Sequence, residues 1–258
     1  MISVNLFFVK NNTDKRIFKI PSKPSCATPI LSAPFTDCFV RSNITFGEAI
    51  KLSKSEKEQS TRLEGEIFAI MQKVPEGKAA KKVYRTPTLH AKINEWLKLR
   101  VSKDRYNHSK GVEATARKIA TMVGFDPDKA ALAGLLHDNA KGFSDKAAVK
   151  TVKNFKLFDP ELPKVNHQKY HGRIGAYFTE KVLGIKDSSI INAIRYHSHE
   201  KKEGGTFHLI IHIADSIEPA LRDKDLYKKV MDFIDEHKKD KDVLTKAGDI
   251  CREFYDKK

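Results

Sequence analysis

From residue 48 onward, apolar residues recur mostly at three- and four-residue intervals, and no stretch alternates convincingly with a period of two. That spacing predicts helices and no strands. Leu63, Ile67, Ile70 and Met71 share one face within 48–75. Pro87 opens a helix that passes through Trp96 to Val101, and another begins in the stretch 104–108 and ends near Gly124. Asp126-Pro127 is a good N-cap and first-turn pair for a helix carrying Ala130 to Lys141. Ser144 can cap a helix reaching about Phe155. Further helices are expected over Gly172 to Leu183, closed by Gly184, and from Asp187 or Ser188 to Tyr196. After the break at Gly204-Gly205, one more carries Asp215, with Pro219 near its end, and two polar helices follow around 225–238 and 242–255.

Residues 1–47 differ. Pro21, Pro24, Pro29 and Pro34 interrupt any helix, and no hydrophobic period is sustained. The pattern predicts an all-α protein. Residues 1–85 form a low-complexity or partly helical N-terminal extension, largely disordered, and residues 86–258 form a helical bundle.

Composition narrows the class. The 258 residues contain no uncharged run near the roughly 20 needed to cross a bilayer, so no membrane association is expected. The net charge of +15 favours anionic partners such as nucleotides, although many of the lysines read as a solvated face. Cys26, Cys38 and Cys251 are far apart, which argues against a disulfide framework or a thiolate zinc site. They fit a reducing, cytoplasmic compartment. The acidic-poor extension leaves organellar targeting open, but its short apolar run from Val4 to Val9 makes a poor secretory signal.

Candidate chemistry lies where the helices are most apolar. Asp215 falls inside Phe207-His208-Leu209-Ile210-Ile211-His212-Ile213-Ala214-Asp215-Ser216-Ile217, and an apolar run from Ala130 to Leu136 ends in His137-Asp138. An unpaired buried carboxylate costs several kcal/mol, about the scale of a lost buried pair, and a metal ion makes such burial tolerable. His108, His137-Asp138, His171, His197 and Asp215 fall on separate predicted helices or helix ends, as a metal site inside a bundle requires. Imidazole and carboxylate donors without thiolates suit Fe, Mn, Co, Ni or Zn.

The order His108, then His137-Asp138, then a distant Asp215 resembles the signature of the HD superfamily of metal phosphohydrolases. Five segments sharpen the likeness. They are Arg105–Ser109, Ala133–Lys141, His171–Ala176, Asn192–His197 and Ala214–Pro219, and they resemble the YqeK family of symmetrical bis(5'-nucleosyl)-tetraphosphatases. The resemblance covers roughly residues 88–235. It implies an HD-domain helical bundle that hydrolyses diadenosine tetraphosphate to two ADP with two divalent or mixed-valence metal ions, iron first, with manganese, cobalt or nickel as alternatives. It also implies that His108, His137, Asp138 and Asp215 hold one metal, and that Asp138 bridges to a second held by His171 and His197.

Positive groups should meet the phosphates. Lys141, three residues beyond Asp138, is the first candidate, and Arg105 and Arg195 lie just before ligand histidines. The chain departs from the family in the charged segment Ser198-His199-Glu200-Lys201-Lys202-Glu203 and in Ala220-Leu221-Arg222 after Pro219. His199 reads as a loop residue. His212, at i, i+3 from Asp215, reads as a partly buried structural histidine. His90, His167, His208 and His237 read as surface or boundary residues, and Phe155, Phe158, Phe178 and Phe233 as core.

Two rival readings stand beside this one. The first is another HD nucleotide phosphohydrolase, such as a nucleotidase or alarmone hydrolase; the absence of a Gly-Tyr-Pro segment argues against a cyclic-dinucleotide phosphodiesterase. The second is a non-catalytic module that binds nucleic acid or a ribosomal partner. A homodimer is compatible with the sequence.

Overall fold

In the computed structural model, residues 52–74, 83–159, 166–198 and 205–257 are described. All of them belong to one compact unit of the chain. The low-complexity stretch 1–47 and His199 lie outside the described residues. Among the described residues ten helices follow one another: α1 (Lys54–Gln72), α2 (Pro87–Arg100), α3 (Lys103–Met122), α4 (Pro127–Leu136), α5 (Asp145–Phe155), α6 (His167–Lys181), α7 (Ser188–Tyr196), α8 (Gly205–Ile217), α9 (Lys224–His237) and α10 (Val243–Asp256). No strand occurs among the described residues.

The helix starts follow from local chemistry. Ser102, Asp126, Ser144, Asn166, Asp187 and Asp223 each accept hydrogen bonds from first-turn N–H groups that have no partner within the helix. Ser53 and Glu56 form a reciprocal capping box at α1. Asn166 starts α6 earlier than the expected Gly172, which brings His171 onto the helix.

One expectation needs correction. The helix through Ala130 ends at Leu136 rather than Lys141, and residues 137–142 form tight turns. The turn bonds are Asn139 N–H to the Leu136 carbonyl at 3.1 Å and Lys141 N–H to the Asp138 carbonyl at 2.9 Å. This corner lets the adjacent His137 and Asp138 both face inward.

The core is one apolar cluster that runs through the bundle. Helix α4 packs closely on α3, α6 on α7 and α1 on α2, while α8 touches α3, α4, α7 and α10. Helix α4 is apolar on most sides because it is buried on most sides, which is why its sequence shows little amphipathic contrast. Helix α1 docks through Leu63, Ile67 and Met71 against α2. Its Glu64 accepts Trp96 Nε1–H at 2.9 Å and lies 3.6 Å from the buried Arg100 guanidinium. Burial draws the Arg100 pKa down to about 9 against the opposing pull of Glu64. Phe178 is buried as expected, but Phe158 is 55% exposed and His208 is buried, reversing two sequence readings.

Candidate metal centre

Five buried residues and one half-buried residue converge between α3, the α4 corner, α6, the end of α7 and α8. His108 comes from α3, His137 and Asp138 from the corner, His171 from α6, His197 from the residue after α7, and Asp215 from α8. His108 Nε2 lies 2.9 Å from Asp215 Oδ1, and His137 Nε2 lies 3.4 Å from Asp138 Oδ2 and 3.9 Å from Asp215 Oδ1. On the other side, Asp138 Oδ1 is 3.2 Å from His171 Nε2 and 3.6 Å from His197 Nε2. Two overlapping donor groups result, His108–His137–Asp215 and His137–Asp138–His197, each compact enough to hold one ion.

The imidazole tautomers follow from the opposite ring nitrogens. The Nδ1 atoms of His137, His171 and His197 face the carbonyl oxygens of Gly134, Gln168 and Ile194 at 2.7, 2.8 and 2.7 Å. His108 Nδ1 faces Glu218 Oε1 at 3.0 Å. Each Nδ1 therefore carries the proton and donates it, which turns the Nε2 lone pair inward. With those tautomers, His171 Nε2 and His197 Nε2 present lone pairs to each other at 2.9 Å. His108 Nε2, His137 Nε2 and Asp138 Oδ1 are buried and make no hydrogen bond among the described residues. Buried acceptors aimed at one another are costly unless a cation lies between them. The six side chains thus fit metal ions, in donor type and in orientation.

Without a metal, protons compete for the same inward positions. Burial pushes the Asp138 carboxyl upward, but His137, His171 and His197 outweigh it and hold it well below the carboxylate range. Asp215 is depressed in the same way, with burial opposed chiefly by His108. Burial pushes His171 down to about 4, so its ring is neutral and available as a ligand at pH 7. Burial also works against a charge on His108, but the Asp215 and Glu218 carboxylates prevail and raise its pKa.

Among the basic candidates, Arg105 Nη1 donates to Asp138 Oδ2 at 2.8 Å. Lys141 sits on the corner turn rather than on a helix face, and its Nζ is 3.5 Å from both His171 nitrogens. Arg195 is half-buried on α7, and among the described residues no ion pair links it to the cluster. His212 is half-buried, and its Nδ1 lies 2.9 Å from the His197 carbonyl, which steadies the backbone that presents His197.

Two contributors carried no assigned role in the sequence. Glu218 is fully buried and accepts from His108 Nδ1, from Leu221 N–H at 2.9 Å and from Ala220 N–H at 3.0 Å. Arg222 donates from Nε to the Asp215 carbonyl at 3.1 Å and from Nη2 to Asp215 Oδ1 at 3.2 Å. The reason is local. The Asp215 carbonyl would bond the N–H of residue 219, but Pro219 has none, so the guanidinium takes its place. The one available signal was the carboxylate–proline pair placed right after an apolar helix.

Close approach explains two glycines. A Cβ on Gly111 would lie 2.2 Å from Glu218 Oε2, and one on Gly172 would lie 2.9 Å from the Ile194 carbonyl oxygen and 3.2 Å from His197 Cε1. Both positions are filled by site residues.

This arrangement of helices and of His and Asp donors defines an HD domain. The chain belongs to that family, whose profile matches residues 105–240. Within the family it belongs with a symmetrical bis(5'-nucleosyl)-tetraphosphatase from Halalkalibacterium halodurans, to which it is 34% identical over 128 residues, 50% of this chain and 68% of the relative. A protein of the same description from Bacillus subtilis is 33% identical over 123 residues, 48% of this chain and 66% of that protein. Among solved structures, a predicted HD superfamily hydrolase involved in NAD metabolism from Clostridium acetobutylicum is 29% identical. Its TM-score is 0.50, over 61% of this chain and 80% of that one. No helix among the described residues is long and apolar enough to cross a membrane.

Proposed function

We propose that this chain hydrolyses dinucleoside polyphosphates, cleaving diadenosine tetraphosphate symmetrically to two ADP. The observation that carries the reading is the paired donor set around Asp138, whose two carboxylate oxygens face different histidines: Oδ2 faces His137, and Oδ1 faces His171 and His197. The two relatives from Halalkalibacterium halodurans and Bacillus subtilis are, by their descriptions, symmetrical bis(5'-nucleosyl)-tetraphosphatases.

In this reading His108, His137, Asp138 and Asp215 would hold one metal, and Asp138 with His171 and His197 would hold a second. The nitrogen and oxygen donor set suits iron, with manganese, cobalt or nickel as alternatives. When bound, the metals supply Lewis acidity and lower the pKa of a water toward neutrality. The chain's own residues do the rest. The histidines, fixed through Nδ1, keep the donor geometry set before substrate arrives. Water adds at one of the two central phosphorus atoms, and the anhydride bond between them breaks. One ADP leaves with its charge on the former bridging oxygen, and the other gains the hydroxyl. Lys141 and Arg105, already within hydrogen-bonding reach of His171 and Asp138, supply positive charge where that anion develops. Arg195 is assigned to the polyphosphate farther from the reacting centre.

Turnover of diadenosine tetraphosphate by the metal-reconstituted chain, with products separated chromatographically, tests the reading. ADP alone is expected. AMP plus ATP would contradict symmetrical cleavage, and no turnover with iron or manganese would remove the assignment.

A further inference from the structure

The cluster opens to solvent on one side. His108, His137, Asp138, His171 and His197 are each at most 2% exposed, whereas the Asp215 side chain is 23% exposed. Asp215 is bordered by Arg222, itself exposed, and the α8 end behind it is closed by a residue from the far C-terminus. Tyr255 on α10 donates its hydroxyl to the Ser216 carbonyl at 2.7 Å, one residue after Asp215. That carbonyl needs an outside donor because the Ala220 N–H, its usual helical partner, is taken by Glu218. The hydroxyl anchors the ring, Phe254 packs edge-on at 5.4 Å, and Tyr255 still remains 40% exposed. Leu221, beside Arg222, is 57% exposed. Only four large apolar side chains are exposed among the described residues, and two of them adjoin the neighbours of Asp215: Tyr255 through the Ser216 carbonyl, and Leu221 next in sequence to Arg222. Burial pushes the Tyr255 phenol up while Arg222 pulls it down, and Asp215 is close enough to be felt as well.

We propose that Tyr255 and Leu221 form a nucleoside subsite at the mouth of the metal centre, the ring stacking on a nucleobase while Arg222 meets the phosphates beside it. The inference rests on the nucleotide reading above and adds where the base sits. A fixed aromatic ring next to a guanidinium is how sequence-tolerant base binding is built, because every base presents a π face. The platform should therefore favour nucleotides over bare phosphates without selecting one base. Helix α10 begins after residue 240, where the HD match ends, while Leu221 and Arg222 lie within the matched residues.

Calorimetric titration of the metal-reconstituted full chain with ADP and with methyl diphosphate tests the proposal without turnover. The wild type should bind ADP the more tightly. Tyr255→Leu should weaken ADP about tenfold, the scale of one lost base–aromatic contact, and leave methyl diphosphate unchanged. Tyr255→Phe, which keeps the ring and loses the hydroxyl, should retain the preference. Leu221→Ala lies on an exposed turn and gives a second reading, a smaller loss confined to ADP, should Tyr255→Leu fail to fold. Equal loss for both ligands would make Tyr255 a prop for α8 and overturn the subsite, as would a wild type that binds ADP no better than methyl diphosphate. A chain that prefers ADP through Tyr255 but cleaves no diadenosine tetraphosphate would keep the subsite and lose only the reaction.

Discussion

Glu218→Gln isolates what the buried carboxylate does for the centre. Glu218 presents two oxygens to three donors: His108 Nδ1 and Leu221 N–H at Oε1, and Ala220 N–H at Oε2. Glutamine has nearly the same volume but only one acceptor oxygen. If that oxygen takes the Oε1 place, the new NH2 group faces the Ala220 N–H, leaving two donors opposed at a fully buried side chain. One buried group left unsatisfied costs about 1–3 kcal/mol of folding stability. The bond to His108 also becomes neutral, which makes Nε2 less basic and frees the ring to turn. Loss of such a support for a ligand histidine typically lowers metal affinity about 10–100-fold. Competition against a chelator of known affinity reads the second effect, and urea unfolding of the metal-free protein reads the first. Unchanged metal affinity, with the variant folded, would refute the claim that Glu218 holds His108 in its ligand orientation.

Other substitutions probe the remaining supports. Gly111→Ala should weaken metal binding without removing any charge, since its Cβ would lie 2.2 Å from Glu218 Oε2 and must displace that carboxylate; affinity equal to wild type by the same competition would contradict this. Lys141→Ala should lower turnover roughly a hundredfold, as removal of one group that stabilises transition-state charge does, with metal content unchanged by elemental analysis; loss of metal instead would make Lys141 a support for His171. Asp128 tests pH dependence. Burial raises its pKa, but Arg117 and Arg85 outweigh this and depress it on folding. It therefore contributes stability above its unfolded pKa of about 3.9 and loses it as pH falls through the lower folded value. Asp128→Asn should cost about 1–2 kcal/mol at pH 7, with the gap in urea midpoints narrowing below about pH 4; an equal gap at both pH values would contradict the assignment.

Much of this was legible because helix starts and metal donors are written in residue types. Asp126, Ser144 and Asp187 sit where caps belong, and the structure uses each as one. Asp215 and His137-Asp138 were legible because carboxylates at the ends of apolar runs demand a partner, and His108, His171 and His197 because their order with that pair resembles the family signature. The end of α4 was missed, although His137, Asp138 and Asn139 are weak helix formers, because Ala140 and Lys141 resume a helix-favouring composition and the turn is fixed by the inward placement of both His137 and Asp138. Glu218 and Tyr255 were invisible as site residues because their contacts span 110 and 39 positions. Arg222 was hidden for a different reason: it stands in for an N–H that Pro219 lacks, a substitution visible only once the helix end is built.

The central claim is that six side chains form a two-metal centre bridged by Asp138. Anomalous diffraction at the iron edge, from crystals of the iron-reconstituted chain, tests it most directly. The account predicts two peaks, one bounded by His108, His137, Asp138 and Asp215 and the other by Asp138, His171 and His197. A single peak, or a second peak away from Asp138, would contradict it.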